Sequence, residues 1–219
     1  MHYRAVIFDL DGVVVTTDKL HYLAWKELAE KIGIRNFTEA DNIRQRGVSR
    51  MESLEVLLEK SDKCYTKEEK IALADEKNRR YVKLLETLSE TDVLPGVKEF
   101  IAFLKKKSIK TAIGSASKNT YTILEKIKMT EMFDAVSCGL DITRSKPDPE
   151  VFLIAAEKLG IQPERCLVVE DSDAGITAAK AAGMYALAVG AAKNNSKADF
   201  SAESIETALR FKLHGCCEG

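Results

Sequence analysis

The feature that most constrains this chain is the wholly apolar run Ala5-Val6-Ile7-Phe8, closed by Asp9-Leu10-Asp11-Gly12. Consecutive apolar residues without alternation suit a strand buried on both faces, as in a parallel sheet covered by helices. Two carboxylates then stand just beyond the carboxyl end of that strand, where open α/β sheets hold their ligands. One can serve as a nucleophile or metal ligand and the other as a proton donor. A solvated turn would also read Asp-x-Asp, so the rest of the chain has to discriminate.

From Thr17 to Glu90 the pattern is helical, with apolar and charged positions alternating at helical spacing over 19–32, 39–44, 50–59 and 67–88. Gly33 and Gly47 mark turns between them. From Val93 onward helices alternate with short apolar runs. Pro95-Gly96 opens a helix through Lys107, and strands are expected at 111–114, 135–137, 166–169 and 185–189. Helices at 119–128, 150–159 and 174–181 lie between or after them. Repeated βα units of this kind predict an α/β fold with a doubly wound, Rossmann-like parallel sheet. The long interval between the first two strands predicts a helical cap over residues 17–90, inserted into a discontinuous core of 1–16 and 91–219. Its hinges fall near 14–17 and 90–94.

Four elements are expected at strand ends. Asp9-x-Asp11 is the first. Ser115, followed by Ala116-Ser117-Lys118-Asn119, offers a hydroxyl and free backbone N–H groups suited to phosphate oxygens, although helix capping by Ser117 would read the same way. Ser145-Lys146-Pro147-Asp148-Pro149 pins a lysine in a loop where it can neutralise phosphoryl charge, unless it is simply solvated. Glu170-Asp171, ahead of Ser172 and Gly175, supplies hard oxygen ligands for a cation such as Mg²⁺.

In this order, the four elements resemble the motifs of the haloacid dehalogenase superfamily, and the resemblance spans essentially the whole chain, cap included. It implies a phospho-aspartate mechanism. Asp9 attacks phosphorus, while Asp11 protonates the leaving oxygen and later activates the acceptor. Ser115 and Lys146 hold the transferring group. Mg²⁺ is held by Asp9, the Asp11 carbonyl and Asp171, with Glu170 close by.

Thr17, His21 and Trp25 recur every four residues and so share one helix face. With Arg46-Gly47-Val48-Ser49-Arg50 and Ser115 to Asn119, they resemble the β-phosphoglucomutase family of that superfamily. The implied reaction interconverts β-glucose 1-phosphate and glucose 6-phosphate through an activating intermediate, β-glucose 1,6-bisphosphate. Thr17 and His21 then orient Asp11. Trp25, Gly47, Val48 and Ser49 line the sugar site. Arg50 grips the phosphate that is not transferred, helped by Ala116, Ser117, Lys118 and Asn119. Read without the resemblance, His21 and Trp25 are also what the core face of an amphipathic helix contains, and Arg50 is also a surface arginine. Two departures stand near the hinge: Arg46 where a lysine is expected, and Thr16 where an acid is common.

Thirty-three basic against 34 acidic residues, net charge −1, argue against a nucleic-acid binder working through bulk electrostatics. No apolar run approaches the roughly 20 residues needed to span a bilayer, and the first residues run into a strand without a signal-peptide pattern. The five cysteines, Cys64, Cys138, Cys166, Cys216 and Cys217, are odd in number and lack metal-ligand spacing. A reduced, cytoplasmic, monomeric enzyme acting on a small sugar phosphate is expected. A Mg²⁺-dependent sugar phosphatase of the same fold is the alternative. A non-enzymatic phospho-receiver is disfavoured, because its acceptor aspartate would not follow the first strand and it would carry no insertion over 17–90.

Overall fold

The computed structural model describes residues 3–210. Cys216, Cys217, His2 and His214 lie outside them. Six parallel strands run in the order β3-β2-β1-β4-β5-β6: β1 (Ala5–Phe8), β2 (Lys110–Gly114), β3 (Ala135–Ser137), β4 (Cys166–Glu170), β5 (Tyr185–Ala188) and β6 (Phe200–Ser201). The chain grows outward from β1 on one side and then returns to build β4 to β6 on the other. Strand order therefore reverses beside β1, the crevice position of a doubly wound sheet.

Alternate residues of each strand feed opposite apolar layers. Val6, Phe8, Ile113, Leu167 and Val169 pack under α5 (Val97–Lys106), α6 (Thr120–Lys126) and α9 (Ile205–Arg210). Ala5, Ile7, Ala112, Cys166 and Val168 pack under α7 (Glu150–Leu159) and α8 (Asp173–Ala181). Phe8 is level with Ile113 on one side and Val169 on the other. Asp9 therefore stands level with Glu170, the last residue of β4, and Ser115 and Asp171 follow the ends of β2 and β4 at the same edge of the sheet.

Between β1 and α5 lie α1 (Asp18–Lys31), α2 (Glu39–Arg44), α3 (Arg50–Leu58) and α4 (Lys67–Leu85). They enclose a cluster of their own, built on Trp25, Leu28, Phe37, Leu54 and Leu57. Tyr81 and Leu85 at the far end of α4 instead join the layer beneath α5. Capping boxes start α3 (Ser49 with Glu52) and α4 (Thr66 with Glu69).

The observed elements differ from the sequence expectation mainly at their ends. The helix expected to run to residue 88 closes at Leu85, because Glu86, Thr87 and Leu88 donate to carbonyls three residues back, the tighter 3₁₀ pattern. The helix expected to run to 128 ends at Lys126, and Lys128 takes φ 54°, which breaks the helical ladder. Glu170 pairs with Ala188 inside β4 rather than following it. β6 and α9 were not expected; β6 is only two residues long and carries little pattern.

Candidate active site

β1 delivers Asp9, and the loop before α7 delivers Lys146 to meet it. Lys146 Nζ lies 2.5 Å from Asp9 Oδ1 and 2.8 Å from Glu170 Oε1, with the side chain 1% exposed. Burial alone would lower its pKa, but the two carboxylates raise it well above the ordinary lysine value, so the ammonium stays charged. The carboxylates are crowded in turn. Burial and the neighbouring Glu170 charge push Asp9 up to about 7 against the pull of Lys146, while burial with Glu170 and Asp9 pushes Asp171 up to about 8. Oxygens of Asp9, Glu170 and Asp171 lie within 4.8 Å of one another. Such a buried triad of hard oxygen donors with excess negative charge is what a divalent cation neutralises.

Glu170 is less free than its neighbours. Its Oε1 accepts from Lys146, and its Oε2 accepts from the Ser172 backbone N–H at 2.7 Å and from the Ser172 hydroxyl at 3.1 Å. Two glycines make room for this cluster. A Cβ on Gly12, whose φ of +86° already favours glycine, would sit 2.0 Å from Asp171 Oδ2; one on Gly175 would sit 1.8 Å from Glu170 Oε1. Gly175→Ala is expected to cost about 1–3 kcal/mol as an overpacked core and to lower activity by displacing the carboxylate that anchors Lys146. Thermal unfolding together with a phosphatase assay checks both.

Asp11 faces the inserted helices. Thr17 donates to both carboxylate oxygens, from its backbone N–H at 2.6 Å and its hydroxyl at 2.5 Å. Tyr81 O–H donates to Thr17 Oγ1 at 2.9 Å. Burial raises the Asp11 carboxyl to about 6 despite these donors. His21 Nε2 is 3.9 Å from Asp11 Oδ2, and its Nδ1 is 2.7 Å from Lys77 Nζ. Lys77 is 3% exposed and lies 4.6 Å from the ring centres of both Trp25 and Tyr81. Burial, then the nearby Arg50 charge, holds the Lys77 pKa well below the ordinary value. Burial followed by the Lys77 charge does the same for His21, favouring the neutral imidazole.

These groups share one cavity of about 810 Å³ between the sheet edge and the inserted helices. Of the residues singled out in the sequence, Asp9, Asp11, His21, Trp25, Arg46, Gly47, Val48, Ser49, Arg50, Ser115, Ala116, Ser117, Lys118, Asn119, Lys146 and Asp171 all line it. Thr17 and Glu170 stand behind the lining, fully buried. Ser49 spends its hydroxyl capping α3. Ser117 does not cap α6, which starts from Asn119; its hydroxyl accepts from the Asn119 N–H at 3.1 Å instead. Arg50 is 3.5 Å from Asp75, and Arg46 hydrogen-bonds Asp18. Sequence reasoning missed Lys77, Tyr81 and Asn78, all on α4. Asn78 Oδ1 accepts from Asn119 Nδ2 at 2.9 Å across the cavity. The only sequence signal for Lys77 and Tyr81 was their spacing of four, which places them on one helix face.

Residues 3–183 match the family model of haloacid dehalogenase-like hydrolases. The chain belongs to that family. It is 42% identical over 189 residues to a β-phosphoglucomutase of Bacillus subtilis, covering 85% of this chain and 83% of that protein. It is 35% identical to a phosphorylated carbohydrates phosphatase of Thermotoga maritima, covering 83% of this chain and 82% of the other. Among solved structures, a β-phosphoglucomutase of Clostridium difficile superposes with a TM-score of 0.90 at 38% identity, covering 96% of this chain and 95% of that one. Membership of this family and the parallel sheet topology accord with the sequence expectation. Among the described residues no helix is long and apolar enough to cross a membrane, and Cys64, Cys138 and Cys166 are free thiols.

Proposed function

We propose that this enzyme interconverts β-glucose 1-phosphate and glucose 6-phosphate by phosphoryl transfer through an aspartyl phosphate on Asp9. The observation that carries the reading is the single cavity with cationic groups on both walls. Lys146 stands beside the nucleophile on the sheet side, and Arg50 stands on the inserted helices. A ligand with one phosphate at Asp9 and a second near Arg50 is charge-matched at both ends.

Asp9 attacks phosphorus while Lys146 and Ser115 hold the transferring oxygens, the positioning and charge neutralisation that phosphoryl transfer chiefly requires. Asp11, whose carboxyl is raised towards neutrality, delivers a proton to the leaving oxygen and later takes one from the acceptor hydroxyl. Thr17 and Tyr81 fix its orientation. The Asp9, Glu170 and Asp171 oxygens fit Mg²⁺, together with the Asp11 carbonyl, and the ion would supply charge neutralisation at the phosphate. Arg50, Ser117, Lys118 and Asn119 hold the phosphate that is not being transferred. The helices of residues 17–90 act as a cap that keeps water from the phospho-aspartate, which favours a sugar hydroxyl as acceptor. The Thermotoga maritima relative supports a second reading, a Mg²⁺-dependent phosphatase of sugar phosphates.

The deciding assay supplies β-glucose 1-phosphate, Mg²⁺ and a trace of β-glucose 1,6-bisphosphate, and follows glucose 6-phosphate and free phosphate together. Glucose 6-phosphate with little free phosphate supports the mutase; free phosphate alone overturns it in favour of the phosphatase. Arg50→Ala is expected to lower mutase kcat/KM about ten- to a hundredfold, the value of a charged hydrogen bond to phosphate. Hydrolysis of a small aryl phosphate, which has no second phosphate to hold, should fall less. Equal losses on both substrates would remove Arg50 as the distal anchor.

A further inference from the structure

Resting on the phosphoryl-transfer reading above, we propose that Asp18 and Arg46 form a clamp that sets how the Gly47 to Ser49 loop sits against the catalytic carboxylates. Arg46 is then a positioning residue rather than a contact for the sugar phosphate.

Asp18 is the first residue of α1, immediately after Thr17, whose N–H and hydroxyl both hold Asp11. Arg46 lies in the turn after α2 and donates through Nη2 to Asp18 Oδ2. Asn42 adds a second tie between these segments, reaching the Asp18 carbonyl at 3.4 Å. The Arg46 side chain is 32% exposed and its Nε is buried without a partner among the described residues. The guanidinium is thus turned toward Asp18 while its inner nitrogen is enclosed, an arrangement set by the protein rather than by a solvated side chain.

The next residue carries the consequence. Gly47 has φ +73°, and a Cβ there would lie 2.7 Å from Ser172 Oγ. Ser172 holds Glu170, and Glu170 holds Lys146. The loop therefore lies against Ser172, the residue that holds Glu170, on one side and is tied through Arg46 to the residue adjoining the Asp11 holder on the other. A half-exposed ion pair of this kind adds little to folding stability. Its effect is geometric, and a displacement of about 1 Å away from the reacting atoms can cost up to about a hundredfold in rate.

The test compares wild type, Asp18→Asn, Arg46→Gln and the double variant, with thermal unfolding to report folding. Sugar-phosphate turnover and the partition of the phosphoryl group between glucose 6-phosphate and free phosphate are measured in the assay above, beside aryl phosphate hydrolysis. A clamp predicts that each single variant lowers sugar-phosphate kcat about tenfold relative to aryl phosphate hydrolysis, with KM within about twofold. Free phosphate per glucose 6-phosphate should rise, and the double variant should be no worse than either single one. Mere loss of folded enzyme would lower both reactions in proportion and overturn the clamp. A raised KM in Arg46→Gln, with Asp18→Asn unaffected, would overturn it by making Arg46 a substrate contact. So would single losses that multiply to about a hundredfold in the double variant. Should Arg46→Gln fail to fold, Arg46→Lys and Asp18→Glu take its place: shared partial losses support the clamp, and independent ones overturn it. If wild type releases only free phosphate, the mutase reading fails by itself. The clamp is then judged by whether the same variants share one loss in sugar-phosphate hydrolysis relative to aryl phosphate.

Discussion

Asp9→Asn is expected to abolish turnover of sugar and aryl phosphates alike, by about three orders of magnitude or more, while the protein stays folded. The amide keeps the shape of the side chain but cannot attack phosphorus, and loss of a covalent nucleophile removes the whole route rather than one contact. Stability should change little, because two effects oppose each other. The carboxylate gives Lys146 an ion pair at 2.5 Å, yet burial makes that charge costly enough to push its pKa to about 7. The neutral amide removes that desolvation cost, and Lys146 keeps Glu170 as a partner at 2.8 Å. Intact-protein mass spectrometry after exposure to β-glucose 1,6-bisphosphate should find a phosphate adduct on wild type and none on the variant. Retained turnover in a homogeneous, correctly sequenced preparation would end the aspartyl-phosphate mechanism.

The parts of this site legible in the sequence are those set by the backbone. Apolar strands followed by Asp9, Ser115 and Glu170-Asp171 declare both the sheet and the chemistry at its edge, because a doubly wound fold brings strand ends together wherever they occur in the chain. Thr17, His21 and Trp25 could be read together because local helical spacing puts them on one face. Lys77 and Tyr81 could not. The helix carrying them reads Lys-Glu-Glu-Lys-Ile-Ala-Leu-Ala-Asp-Glu-Lys-Asn-Arg-Arg-Tyr, in which a lysine looks like solvated charge. Its burial comes from packing against Trp25 and His21, more than 50 residues earlier in the chain, and no local pattern reports a contact of that range. Arg46 shows the same limit differently. Its place beside Gly47 identifies it as a cavity residue, but only the three-dimensional structure shows Asp18 opposite it.

Lys146→Met should be the most destabilising single change among the catalytic groups. Lys146 is the only cation within bonding distance of the buried Asp9 and Glu170 carboxylates among the described residues. Removing one partner of a buried charge cluster typically costs about 3–5 kcal/mol, because the remaining charge is left uncompensated. For a chain of this size that corresponds to a fall in Tm of roughly 6–20 °C. The deficit should grow with pH. Asp9 and Asp171 have native pKa values of about 7 and about 8 against an ordinary 3.8, so the unfolded chain gives up these protons at lower pH than the folded one. Each group therefore loses stability as pH rises from about 4 through its folded value, and for Asp9, the one of the two that Lys146 pulls downward, the opposing attraction is gone in the variant. Thermal unfolding of wild type and variant at pH 5 and pH 8, without divalent cation, measures the difference. Adding Asp9→Asn to Lys146→Met should recover part of the lost stability, since it removes one of the stranded charges. A double variant less stable than Lys146→Met alone would mean that packing against Phe152, whose ring centre lies 4.7 Å from Nζ, outweighs charge balance as the reason this lysine is buried.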